Sequence, residues 1–265
     1  MNAMNMMRNF ENIFNSAEMR SSRILEEAYE ATTKEEKIEL AQSALEVYPD
    51  NIDAELYIAS FEEDKFKKLS TLESIIEKAK TILENGNYFS EQYIGHFWGI
   101  LETRPYMRAK HQKLLLFLDL ERYSDALEES EELLKLCESD NLGIRYTLLG
   151  LYCYFERYEE CEKLFNNYDE SSTRLLLPMA IMYYKQDNFE KSKEVLQEIN
   201  ENNPHLKQQL KRKDKTCLFE EAENLKYYSF GGKDEAILVV RELNYLLESV
   251  PEFLDFVEQS LTLNG

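Results

Sequence analysis

The sequence has little that would break or bend a helical chain. Its 265 residues include 8 Gly and 5 Pro, too few for the many tight turns of a sandwich or barrel of short strands. Strict alternation of Val, Ile and Thr is scarce too, and Leu, Glu, Lys and Ala recur instead, which is the balance of a chain that is mostly helix. No run of ~18 apolar residues occurs, so no membrane-spanning helix is expected. The opening MNAMNMMRNF lacks the continuous apolar core of an export signal. The four cysteines, Cys137, Cys153, Cys161 and Cys217, form no CxxC pair. Three of them fall on the apolar stripe of a predicted helix or at its end, the pattern of buried free thiols in a reducing compartment, so a cytoplasmic location is expected.

Positive charge is also in short supply: 31 basic residues stand against 51 acidic ones, for a net charge of -20. A field of that sign repels phosphate backbones and anionic lipid. The only dense basic run, KQQLKRKDK from Lys207 to Lys215, reads as a solvated helix end or an insert between repeats. Neither nucleic acid nor membrane is therefore expected as a partner. Signatures of chemistry are missing as well. HExxH, GxSxG, GxxxxGK(S/T) and GxGxxG are absent, and Gly231-Gly232 precedes a predicted helix with no strand before it. The three histidines, His96, His111 and His205, are too far apart in sequence for a local ligand pair, so no metal and no cofactor are expected. Carboxylate pairs are so frequent in this acidic chain that they say nothing about acid or base catalysis. The chain is read as a non-enzyme.

What the sequence does hold is apolar surface, 43% hydrophobic and 12% aromatic residues, arranged with a period. Tyr123, Ala126, Ser130 and Leu133 share one helix face. The same offsets return at Tyr158, Cys161, Phe165 and Tyr168, at Phe189, Ser192, Leu196 and Ile199, and more weakly at Lys233, Ala236, Val240 and Leu243. The small second residue allows close approach of two helix backbones. Six residues before each set stands an aromatic, Phe117, Tyr152, Tyr183 and Tyr227, assigned to the preceding helix of the same pair. The sets begin 35, 31 and 44 residues apart. Two helices per period of ~34 residues is the pattern of tetratricopeptide repeats. Lys37, Ala41, Ala44 and Pro49 repeat the second helix and its terminating proline, DNIDAELYIAS reads as the next first helix, and Pro204 closes a later pair. Residues 66–83 read as one amphipathic helix with Phe66, Leu69, Leu72, Ile75, Ile76, Ala79 and Leu83 on its stripe, and VPEFLDFVEQSL as a capping helix.

The expected fold is all-α, an α-α superhelix (solenoid) of tetratricopeptide-like helix pairs with eleven to thirteen helices. N-terminal helical repeats over 1–84 and C-terminal repeats with a cap over 85–265 form either one continuous solenoid or two stacks meeting near residues 85–105. Residues 1–16 lack a sustained period and are expected to fray.

The segment 88–112, YFSEQYIGHFWGILETRPYMRAKHQ, departs from a generic repeat. It holds the only Trp, two of three His and the Arg104-Pro105 pair. Two readings stand. In one, Phe97 and Trp98 plug a junction and Pro105 opens a helix in its first turn. In the other, His96, Glu102, Arg104 and Arg108 line a polar pocket of a small-ligand sensor or enzyme, with Arg104 or Arg108 available for a carboxylate or phosphate. GHFWGILETRPYMRA, followed by ERYSDALEESEELLKLCESDNLGIRYTLLGLY, resembles bacterial tetratricopeptide-repeat proteins of unassigned function that carry a GxxETRPYMR element before a repeat ending in a motif like NDNQGIRY. It has a more distant likeness to the eukaryotic suppressor-of-tumorigenicity-seven proteins. The resemblance covers about residues 88–260. It implies the repeat fold and supplies no activity, and Leu142 stands where the motif has Gln, so no polar role is carried to that position.

Stacked helix pairs present their first helices on a concave face. Counting back from each set places Arg108, His111 and Leu115 there, then Tyr146, then Arg174, Leu177 and Tyr184. A groove of Arg and Tyr in a negative protein suits a peptide or protein partner bearing acidic or C-terminal carboxylate groups, with Arg108, His111, Tyr146, Arg174 and Tyr184 as contacts. The carboxylate clamp of chaperone-binding repeats needs Lys and Asn four apart, and those places hold His111 and Leu115, Tyr146 and Gly150, Leu177 and Ile181, so that ligand is not expected. Self-association as a structural subunit is the third functional class left open.

Overall fold

The computed structural model describes residues 16–168 and 170–261. Among them are fifteen α-helices and one 3-10 turn, more than the eleven to thirteen expected because the region after residue 203 divides into several short helices. The expected fraying over 1–16 lies outside the described residues except for Ser16, whose side chain accepts from the Met19 amide and caps the first helix.

The chain divides into two compact units, one ending at Leu142 and the other beginning at Gly143. The first contains α1 (Ala17–Glu30), α2 (Lys34–Val47), α3 (Ile52–Ser60), α4 (Lys65–Asn85), the 3-10 turn Phe97–Gly99, α5 (Arg104–Asp119) and α6 (Tyr123–Leu136). Short connections make successive helices antiparallel neighbours, and α1/α2, α3/α4 and α5/α6 form the three pairs. The sequence-based division at residue 84 does not coincide with the observed one, because α4 and α5 pack on each other across it. Ala41 and Ala44 are fully buried, and the Ser21 hydroxyl donates to the Ala44 carbonyl at 2.7 Å, so small residues set the α1–α2 approach. Along α4 the expected stripe is buried from Leu69 to Leu83, whereas Phe66, in the first turn at the end of the stripe, is 73% exposed.

The second unit contains α7 (Ile144–Tyr154), α8 (Tyr158–Asn166), α9 (Thr173–Lys185), α10 (Phe189–Asn202), α11 (Leu206–Leu210), α12 (Lys215–Glu223), α13 (Lys233–Glu242), α14 (Asn244–Ser249) and α15 (Glu252–Ser260). Its centre is α9, buried on almost all sides and packed against α7, α8, α10 and α13. A helix apolar all round belongs in the interior.

The second residues of the four sets, Ala126, Cys161, Ser192 and Ala236, are all fully buried. Ser192 and Cys161 each point at a carbonyl twelve residues back, on Ala180 at 2.7 Å and Leu149 at 3.9 Å. Side chains this small leave room for that approach, where a larger one would overpack the contact. Tyr168, the last member of its set, lies past the end of α8.

The turns within three pairs also repeat. Glu121, Glu156 and Asp187, each two residues before a set, are left-handed at φ 56°, 59° and 57°. The amides of Arg122, Arg157 and Asn188 donate to the carbonyls of Phe117, Tyr152 and Tyr183. Arg122 and Arg157 lie over those rings at 4.8 and 4.9 Å and pair with Asp125 and Glu160 one turn on. In the third turn Asn188 caps α10 and Lys191 supplies the cation over Tyr183 at 4.0 Å.

The fourth pair breaks this rule. Its connection, residues 224–232, is longer, and Tyr227, at the place of a core aromatic in the other three, is 87% exposed. The expectation that Tyr227 belongs to the preceding helix is thus corrected, since α12 stops at Glu223.

The four thiols are free, with Cys137, Cys153 and Cys161 buried and Cys217 exposed. Burial pushes the Cys153 thiol well above its ordinary range and the Cys161 thiol up to about 12. A chromogenic disulfide reagent at pH 8 is expected to titrate one thiol per native chain and all four after denaturation. A native count above one would show that the contacts around one of the buried thiols, Cys137, Cys153 or Cys161, open on the timescale of the assay.

Candidate functional site

In the first unit the first helices of the three pairs, α1, α3 and α5, enclose an open cleft of about 410 Å³ lined by Tyr29, Asp53, Leu56, Tyr57, Ser60, Arg108 and Gln112. Position along each helix explains the lining. Asp53, Leu56, Tyr57 and Ser60 fall on one face of α3, as do Arg108 and Gln112 on α5. Asn51 caps α3 by accepting from the Ala54 amide, which fixes where that face begins.

Arg108 and Asp53 join across the floor in a two-pronged pair, Nε to Oδ1 at 2.8 Å and Nη2 to Oδ2 at 2.6 Å. Tyr57 stands edge-on to Tyr29 at 4.7 Å and its hydroxyl donates to the Ala28 carbonyl. Tyr29 is 50% exposed, and partial burial together with the Asp53 charge raises its phenol above the usual value. His111, one turn from Arg108, is half-buried, and burial lowers its imidazole while Asp140 opposes that shift.

In the second unit the first-helix face is filled by the chain itself. Leu177, an expected concave position, is buried, as is Gly150, one of the places of the missing carboxylate clamp, and Leu243 and Tyr245 lie against Gly150. Arg174 makes a two-pronged pair with Glu242 at 2.9 and 2.8 Å and stacks over Tyr146 at 4.0 Å. Arg145 covers the Tyr146 ring at 4.2 Å and donates to its hydroxyl, which itself donates to Glu170 at 2.7 Å. Burial, and then the bond to Glu170, push the Tyr146 phenol up to about 12. Burial also raises the Glu242 carboxyl against the pull of Arg174, although 35% of that side chain stays in contact with solvent. Tyr184 meets Phe189, Phe253 and Phe256 at 5.0–5.5 Å under the terminal helix α15. The carboxylate that Arg174 was expected to take from a ligand is thus supplied by Glu242, and the terminal helix covers Tyr184.

The residues of the 88–112 segment have separate surroundings. His96 and Glu102 are exposed, while Arg104 donates from Nε to the Trp98 carbonyl at 2.8 Å and lies over the Trp98 ring. Phe97 is fully buried among Phe89 and Tyr106, and Thr103 is buried with its hydroxyl on the Phe97 and Ile100 carbonyls. Pro105 sits in the first turn of α5. An isolated bridge of His96 with Cys137 and a bond from the Glu138 amide to the Gly95 carbonyl tie this segment to the end of α6.

In the basic run, Lys211 pairs with Glu258 and Arg212 with Glu221, so both charges close helix contacts. Among the described residues no helix is long and apolar enough to cross a membrane, and no group of three His, Cys, Asp or Glu side chains is placed to hold a metal ion.

No family model matches the sequence, and no curated protein matches it. Among solved structures, BtubC (BKLC) from P. vanneervenii is similar with a TM-score of 0.45 and 12% identity, over 91% of this chain and 88% of that one. Naa15/Naa10 bound to HypK-THB is similar with a TM-score of 0.42 and 15% identity, over 91% of this chain but 36% of that one. The class is set by the helices themselves: an all-α repeat protein built of tetratricopeptide-like pairs, with an open first-helix cleft in one unit and a self-filled face in the other.

Proposed function

We propose that this chain is an interaction scaffold, not an enzyme, and that it takes a peptide or protein segment in the α1–α3–α5 cleft of the first unit. One observation carries the reading: a cleft of about 410 Å³ lies open where the equivalent face of the second unit is filled, and a half-exposed Tyr29 stands on its wall. Arg108 already holds Asp53, so the cleft presents a satisfied ion pair flanked by tyrosine rings and Leu56. That surface favours a ligand anchored by an aromatic or aliphatic side chain, with Gln112 placed to meet its backbone and the Ser60 hydroxyl, which donates to the Tyr57 carbonyl, able to accept from it. An acidic tail would have to compete with Asp53 for the guanidinium.

The test is a selection of displayed peptides on the purified full-length chain, followed by fluorescence anisotropy of the selected peptides. Tyr29→Ala is expected to weaken binding at least tenfold, in line with about 1.4 kcal/mol per decade, and Arg108→Ala to weaken it by removing one side of the floor. Peptides that bind Tyr29→Ala and Arg108→Ala as they bind the parent would exclude the cleft as the binding face.

A further inference from the structure

The connection between α12 and α13 stands apart from the other turns. In three pairs the aromatic before the turn is at most 9% exposed, whereas here Tyr227, Tyr228 and Phe230 are 87%, 45% and 64% exposed. Three large rings within four residues are thus turned to solvent at the place where the repeat pattern calls for one buried ring.

The loop is held at its far end. The buried Glu235 carboxylate accepts from the Gly231 amide at 2.7 Å and from Asn203 Nδ2 at 3.0 Å, and Asp234 accepts from the Ser229 amide at 2.8 Å. Phe230 lies between these two anchored amides, so the backbone that carries its ring is held before any partner arrives. The two ends of the loop also wall an open cavity of about 550 Å³, lined by Cys217, Glu220, Glu221, Asn224, Leu225, Lys233, Asp234 and Ile237. Its wall is mostly apolar. Of its three carboxylates, Glu221 is held by Arg212 at 2.8 and 3.0 Å and also faces Lys233 at 3.9 Å, which leaves Glu220 and Asp234 for an incoming cation.

We infer that this loop and cavity form a second docking surface, distinct from the α1–α3–α5 cleft, whose occupant is a basic, apolar segment of a protein partner. Charge complementarity selects the occupant: the apolar stem of a Lys or Arg fits against Leu225 and Ile237, its cation meets Glu220 and Asp234, and Tyr227, Tyr228 and Phe230 supply ring faces for neighbouring apolar or cationic side chains. An acidic segment would meet like charge in the same cavity.

The probe is a labelled twelve-residue peptide of alternating Lys and Leu, titrated by anisotropy into the full-length chain at 150 mM salt, beside an alternating Glu and Leu counterpart. Expected are binding of the basic peptide only, a loss of at least tenfold in the charge-neutral Tyr227→Ala, Phe230→Ala double variant, and a comparable loss in Glu220→Lys. The exposed Glu35→Gln, Glu36→Gln pair on α2 controls for general attraction to an acidic protein. Equal losses in that control, an unchanged affinity in the aromatic double variant, or equal binding of the acidic peptide would each overturn the inference. Sedimentation showing a dimer of the parent that the aromatic double variant abolishes would assign the surface to a second copy, and so overturn it too. Both target rings are exposed, and matching thermal unfolding curves will show that the variants fold.

Discussion

Replacing Lys110 by Met is expected to cost about 3 kcal/mol of stability, the lower end of what removal of one partner from a buried ion pair costs. Lys110 has only 3% of its side chain exposed and lies between Glu129 at 2.7 Å and Glu132 at 2.8 Å. Glu132 is half in solvent and can rehydrate, but Glu129, at 6% exposed, cannot. Lys113, at 2.6 Å from Glu129, remains and keeps the cost from rising further. The Lys110→Met, Glu129→Met double variant should recover most of the loss, since two methionines remove the desolvated charges together and Lys113 has 17% exposure through which to reach water. Urea unfolding of the two single variants and the double variant gives the coupling energy directly. A single variant as stable as the parent would show that the interior admits water at this site.

The second large effect is expected from Gly231→Ala, at about 3 kcal/mol. Gly231 has φ +71°, which costs a residue with a side chain roughly 1–2 kcal/mol. A Cβ there would also stand 2.5 Å from the Asn202 carbonyl oxygen, a backbone atom that cannot swing aside. Relief of that contact must move the Gly231 amide off the Glu235 carboxylate, which would leave a buried charge with one donor fewer. Gly99→Ala is the matched control, because a Cβ at Gly99 meets nothing within 4 Å. Thermal unfolding should separate the two variants by several degrees, and coincident curves would mean that the loop relaxes freely.

These sites also show where reading the sequence works and where it stops. The small residues Ala126, Cys161, Ser192 and Ala236 were legible because the close approach of two helices restricts size at a fixed offset, and all four are fully buried. Phe117, Tyr152 and Tyr183 were legible for the same reason. Tyr227 was not, because an offset says nothing about whether the helix that should carry it has already ended. The functional faces were read less completely. Arg108 was found by counting back from its repeat, but Asp53, which binds it from 55 residues away, shares no local pattern with it. The i, i+4 pairs Asp53 with Tyr57 and Arg108 with Gln112 were the available signal, visible once α3 and α5 are aligned as equivalent helices. Arg174 was placed on the correct helix, yet periodicity could not reveal that Glu242 would occupy it, because that contact arises where a later helix folds back over the face.

The turn that recurs at Glu121, Glu156 and Asp187 bears on how such a chain can change length. Each copy closes through backbone bonds and one left-handed residue, and none depends on a glycine. A segment excised at one such turn and joined at another meets a left-handed residue at nearly the same φ, an aromatic ring beneath the join and a cation to cover it. Gain or loss of a whole pair therefore leaves the joints intact, and the unit of variation in this architecture is the pair rather than the residue.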